Sequence, residues 1–223
     1  MNSESNTVQS PGSGSVPMAW AYRHLVFVWT IAWGVTGVTL YISGVFNSPR
    51  TGPLWIALTG GMISWAIAGV STFPVVSHGS SSRWNITISI VWALAYLASF
   101  ALAGFLINWF PYRNTITGIF LAVIGWSSGA AFGAFTSTWL ASVNPKMMRS
   151  AVIAGIWMLG FFIGSIVVFA VGFYGAELAK IFIGFLIGES AALILGFGSV
   201  SALGGFIASA IAVSAVRVAT RFL

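Results

Sequence analysis

Apolar residues dominate this 223-residue chain, and polar ones are gathered at its breaks. Six charge-free runs stand out: Arg23 to Arg50, Arg50 to Arg83, Arg83 to Arg113, Arg113 to Lys146, Arg149 to Glu177, and Glu189 to Arg217. Each encloses 26 to 32 residues, and a spanning helix needs about 20. This pattern predicts six transmembrane helices, near 19–46, 53–76, 85–110, 116–142, 150–174 and 189–216. Pro17, Pro49, Pro53, Pro74, Pro111 and Pro145 fall at or near the proposed ends, and none interrupts a helix centre. Trp20, Trp55, Trp84, Trp109 and Trp139 lie near the same ends, at the depth where an indole ring meets headgroups.

Two segments depart from this pattern. Residues 1–17, MNSESNTVQSPGSGSVP, have almost nothing to bury and are expected to be a disordered tail ahead of a transmembrane domain at 18–223. They lack a basic start leading directly into an apolar run, so no cleaved signal peptide is expected. In AELAKIFIGFLIGE (176–189), the apolar stretch 181–187 is too short to span. A sixth helix beginning at Lys180 would run almost 40 residues, so 176–187 is expected as a separate interfacial or re-entrant helix before helix 6.

The even helices share a pattern of small residues, G-x-x-S-x-[AS]-x-x-G. It is anchored on Gly61, Ser64 and Gly69, on Gly125, Ser128 and Gly133, and on Gly196, Ser199 and Gly204. The odd helices carry VWTIAW, VWALAY and IWMLGF, which place Trp29, Trp92 and Trp157 at intervals of 63 and 65 residues. Two independent anchors of similar period predict three tandem helical hairpins, approximately 19–76, 85–142 and 150–216. The small faces have two readings. They pack helix backbone against helix backbone, which is the default in a bilayer, or they converge on a narrow path lined by hydroxyls.

Composition narrows the chemistry. Only 5% of residues are charged while 58% are hydrophobic, far too few charges to cover a soluble surface. The partner is therefore a lipid bilayer. The nine basic residues are scattered, which excludes a nucleic-acid surface. Without cysteine there is no thiolate nucleophile, disulfide or Cys-ligated metal. Three acids and two histidines leave no catalytic or metal-ligating constellation, so neither an enzyme nor a cofactor is expected. His24 and His78 read as solvated residues near the membrane surface, and the sequon at Asn85 abuts the membrane. A pigment or quinone pocket would use rings such as Trp33, Trp65 and Trp126, but packing at repeat-equivalent positions accounts for several of them more simply.

An even number of spans puts both termini on one side. Arg23, Arg83, Lys146, Arg149, Arg217 and Arg221 share that side, against Arg50, Arg113 and Lys180 on the other. The bias places both termini in the cytoplasm. Glu177, Lys180 and Glu189 form the one cluster of charges in a hairpin turn, a possible outer charged site. Glu189 can equally serve as a favourable charge at the start of helix 6. Two functional classes remain. One is a small channel or facilitator for a neutral or weakly charged solute, and the other a non-catalytic accessory or assembly subunit of a larger membrane complex. Either works as a homo-oligomer or beside other membrane subunits.

Overall fold

The computed structural model describes residues 18–44, 53–76, 82–109, 115–141 and 147–219. Residues 1–17 and Arg50, His78, Arg113, Lys146 and Arg221 lie outside them. All six elements are α-helices: α1 (Met18–Ile42), α2 (Leu54–Val76), α3 (Ser82–Trp109), α4 (Thr115–Ala141), α5 (Met147–Ile187) and α6 (Glu189–Ala219). Each contains a stretch long and apolar enough to cross a bilayer. The chain is an all-α, multi-pass membrane protein.

Large apolar side chains line the outside of the helices. Phe27, Ile31 and Val35 on α1, Ile63 and Ile67 on α2, and Ile86, Ile90 and Leu94 on α3 are exposed at i, i+4 spacing. Such stripes are lipid-facing surface. Inward, the residues are either very small or aromatic. Each helix packs on the next in chain order, and α6 returns to pack on α1, closing a ring of six; α2 also touches α4.

Two boundaries differ from the sequence expectation. α1 stops at Ile42 rather than near 46, because Gly44 takes a positive φ of 65°. Ser43 N–H donates to the Thr39 carbonyl at 3.0 Å and Gly44 N–H to that of Tyr41 at 3.1 Å, closing the last turn. The larger difference concerns 176–187. This segment is helical, but it is not a separate interfacial or re-entrant element: α5 runs unbroken for 41 residues, about 62 Å. Gly172 and Gly175 stay helical because each lies against α6, beside Phe197 and Val200. The break falls at Gly188, with φ 87°. Its N–H donates to the Gly184 carbonyl at 2.8 Å, and its own carbonyl accepts from Ala192 N–H at 3.1 Å. One left-handed glycine thus ends α5 and starts α6.

The extension rises beyond the level of α1. The ring of Tyr41, one residue from the end of α1, sits 5.5 Å from that of Phe197, which also stands against Gly172. Fifteen residues of α5 follow Gly172, about 22 Å of helix. From the Gly160–Ala208 contact to that of Gly184 with Ala192, α5 advances 24 residues and α6 only 16. The last turns of α5 therefore lean across the start of α6.

Close approach sets the seams. A Cβ on Gly125 would lie 2.5 Å from the Ala103 backbone, and one on Gly160 2.5 Å from the Ala208 carbonyl oxygen. Gly155 faces open space. Gly125→Val and Gly160→Val are therefore expected to destabilise the fold by about 1–3 kcal/mol or more. Gly155→Ala should be neutral or stabilising by up to about 1 kcal/mol. Reversible unfolding in mixed micelles would separate the two groups.

Candidate functional site

The nine small-face residues do not gather at one place. On α2, Gly61 lies beneath the ring of Tyr96 and Gly69 beneath that of Trp92, both from α3. Ser64 is buried toward α1; its hydroxyl donates to the Gly61 carbonyl at 3.0 Å and shares a hydrogen bond with Thr36 at 3.1 Å. On α4, Gly125 meets Ala103, and a Cβ on Gly133 would lie 2.9 Å from Trp92 and 3.0 Å from Ala95. Ser128 donates back to the Ile124 carbonyl at 2.8 Å. On α6, a Cβ on Gly196 would lie 2.7 Å from the Ala176 backbone, and Gly204 meets Gly164 and Val168. Ser199 is exposed and donates to the Leu195 carbonyl at 2.8 Å. These faces do not meet one another. The α2 and α4 faces both close on α3, and the α6 face closes on α5.

Aromatic side chains meet at the centre of the ring instead. Trp29 (α1), Trp92 (α3) and Trp157 (α5) form a triangle with ring centroids 4.8, 5.3 and 5.7 Å apart. Trp65 on α2 joins at 5.8 Å from Trp29 and 5.7 Å from Trp126 on α4. Phe161 closes on Trp29 at 5.4 Å, Trp33 at 5.0 Å and Trp65 at 5.3 Å. Tyr96 packs 5.5 Å from both Trp65 and Trp126. Most of these pairs are edge-to-face, the arrangement that sets a ring's positive edge on its neighbour's negative face. The second ring of each odd-helix motif, Trp33, Tyr96 and Phe161, supplies a large part of this cluster. Its signal was in the sequence, since each follows its tryptophan by four residues and so shares its helical face.

Polar atoms inside the ring are unevenly satisfied. The Trp29 indole N–H donates to Thr72 at 3.1 Å, and the Tyr96 hydroxyl to the Ala57 carbonyl at 2.7 Å. The buried N–H groups of Trp33, Trp65 and Trp92, and the hydroxyls of Ser165 and Ser201, have no hydrogen-bond partner among the described residues. Three indole donors in the aromatic cluster thus lack an acceptor. No group of three His, Cys, Asp or Glu side chains comes together among the described residues.

The charged cluster sits on the α5–α6 tip. Lys180 Nζ lies 3.0 Å from a Glu189 carboxylate oxygen, with the lysine 36% and the glutamate 70% exposed. Glu177, one turn before Lys180, is exposed, and Glu189 is the first residue of α6, where its charge also suits the helix N-terminus. The hydrogen bond that Lys180 donates to Glu189, and then the charge of that carboxylate, hold the Lys180 ammonium above its usual range. Exposed pairs of this kind are screened and add little to stability.

No protein-family model, no curated protein and no solved structure matches the chain. Function must be argued from this geometry.

Two outcomes follow. Trp29→Ala is expected to cost about 3–5 kcal/mol as a filled centre becomes a cavity. Ser64→Ala should cost only about 0.6 kcal/mol, an average membrane hydrogen bond, and Ser199→Ala should stay within about 0.5 kcal/mol of the parent. The Lys180 pKa is raised, so any stability it lends is complete below its ordinary value of 10.5 and fades as pH climbs through the raised one. With only Lys146 and Lys180 in the chain, NMR of methylated lysines should show one resonance titrating late. Glu189→Gln should bring it down.

Proposed function

We propose that this protein is a non-catalytic accessory or assembly subunit of a membrane complex, working through its outer surface rather than its interior. The observation that carries this reading is the filled centre: interlocked rings from five helices occupy the space that a ring-shaped channel would leave open. The α5–α6 tip adds to it. Ile181, Phe182, Phe185 and Leu186 are all more than two-thirds exposed there, on the part of α5 that rises past the end of α1. Apolar side chains in that position are suited to contact with another membrane subunit or a second copy of the chain.

A second reading has its own support. Three buried indole N–H groups without a partner among the described residues give the centre free donors, which suits passage of a small neutral or weakly anionic solute that accepts hydrogen bonds. In that reading the rings must part for the solute to pass.

The three hairpins are also best read as copies of one unit. Trp29, Trp92 and Trp157 reach equivalent places at the centre, although Ser64 is buried, Ser128 half-buried and Ser199 exposed. For the orientation, the six-to-three balance of basic residues supports cytoplasmic termini.

Gentle solubilisation from the native membrane separates the readings. An accessory subunit is expected to co-migrate with other polypeptides and to leave proteoliposomes unswollen in small neutral solutes. A solitary, stable homo-oligomer with solute flux would overturn that reading. Flux altered by Trp65→Phe or Trp92→Phe, which remove unpartnered donors, would locate the path at the centre.

A further inference from the structure

A groove on the outside of the ring has the chemistry of a lipid site, independently of the function proposed above. It lies between α1 and α6 at the end bearing the chain termini, with a volume of about 520 Å³. Two arginines stand at its mouth: Arg23, in the second turn of α1, and Arg217, in the last turn of α6. The Arg217 guanidinium lies 6.0 Å from the ring centroid of Tyr22, within cation–π range, which draws it toward α1. Among the described residues that line it, Arg23 and Arg217 are the charged ones, so the lining is positive. A positive mouth at the membrane surface is complementary to a ligand with negative charge.

The rest of the lining is apolar. Phe27, Phe206 and Val213 form its walls, and Phe27 and Phe206 are 62% and 50% exposed, so the groove opens outward rather than into the bundle. The Thr30 hydroxyl donates to the Val26 carbonyl at 2.8 Å, leaving no demand for a polar ligand atom at that depth. From Arg217 to Phe206 is eleven residues of helix, about 16 Å. The hydrocarbon of one leaflet is about 15 Å thick, half of the ~30 Å core. The groove therefore runs from headgroup level to about the bilayer midplane.

We propose that this groove binds one anionic phospholipid, its phosphate held between Arg23 and Arg217 and an acyl chain laid along Phe27, Val213 and Phe206. A basic pocket between helix ends with an apolar trough below matches the two halves of such a molecule. A zwitterionic lipid offers the same chain but brings its own cation to the arginines. A free phosphate offers the charge but leaves the trough empty.

The test uses the full-length protein, delipidated in a neutral detergent and offered phosphatidylglycerol and phosphatidylcholine with identical chains. Native mass spectrometry reads which lipid stays bound. Two arginines near an anionic headgroup should give a roughly 30-fold preference for phosphatidylglycerol. Arg23→Gln with Arg217→Gln should bring this within about threefold. Equal retention of both lipids by the parent protein, or an unchanged preference in the double variant, overturns the proposal. Millimolar inorganic phosphate should leave the bound lipid in place; its displacement would mark an anion site without a chain-binding trough and overturn it too. If the double variant does not fold, phosphatidylglycerol with a photoreactive acyl chain decides the matter on the parent protein. Labelling within 22–30 and 206–217 supports the site, and labelling elsewhere alone overturns it.

Discussion

Helices in a bilayer gain little by hiding apolar surface from one another, since lipid tails hide it equally well. Association has to come from closeness and shape, and this constraint governs how the chain distributes its residues. Glycine and alanine are placed where backbones touch: Gly164 on Gly204, Gly125 on Ala103, Gly160 on Ala208. Ring closure then creates a second requirement. Six cylinders about 10 Å wide, set in a ring, leave a middle space about as wide as another helix. Tight seams alone would leave a void there, and voids forfeit dispersion contacts. The largest side chains are therefore concentrated at the centre, and the smallest are spread along the seams.

Hydrogen bonding plays a secondary part in holding the ring. Most hydroxyls satisfy themselves on the preceding turn, as Thr59 does on Trp55, Ser71 on Ile67, Ser127 on Val123 and Ser209 on Gly205. These serines and threonines behave as small, self-contained spacers. Bonds that cross between helices include Trp29 to Thr72, Thr36 with Ser64, Tyr96 to Ala57, and Ser99 to the Trp126 carbonyl. These four involve the tryptophan layer or the helices next to it. Their value lies in fixing which way large rings point.

The spans were legible in the sequence because charge is excluded from hydrocarbon, so twelve charged residues were enough to mark six helices. Helix ends that depend on backbone conformation were harder to place. Nothing in the composition says that Gly44 turns left-handed while Gly172 and Gly175 stay helical; neighbours on α6 decide the latter. Helix faces were the least legible feature. In a soluble helix the polar side reveals the apolar one, but these helices are apolar all round. Only the paired rings at i, i+4, Trp29 with Trp33, Trp92 with Tyr96 and Trp157 with Phe161, carried that information. The Gly and Ser pattern did not say which neighbour each glycine would meet, nor that Ser199 would be exposed.

The seam between α1 and α6 joins the first helix to the last, with Gly34 against Ala202 and Gly37 against Ser201. Apart from the small contact of α2 with α4, every other seam joins consecutive helices and can form as soon as the second of the pair is made. This one must wait for about 165 further residues, ten to thirty seconds at ordinary rates of synthesis. For that interval the small face of α1 meets lipid or a chaperone, and Trp29 lacks much of its surround. Biogenesis thus passes through an open, five-sided bundle with its aromatic centre uncovered along one side, and the final helix acts as the closing stave.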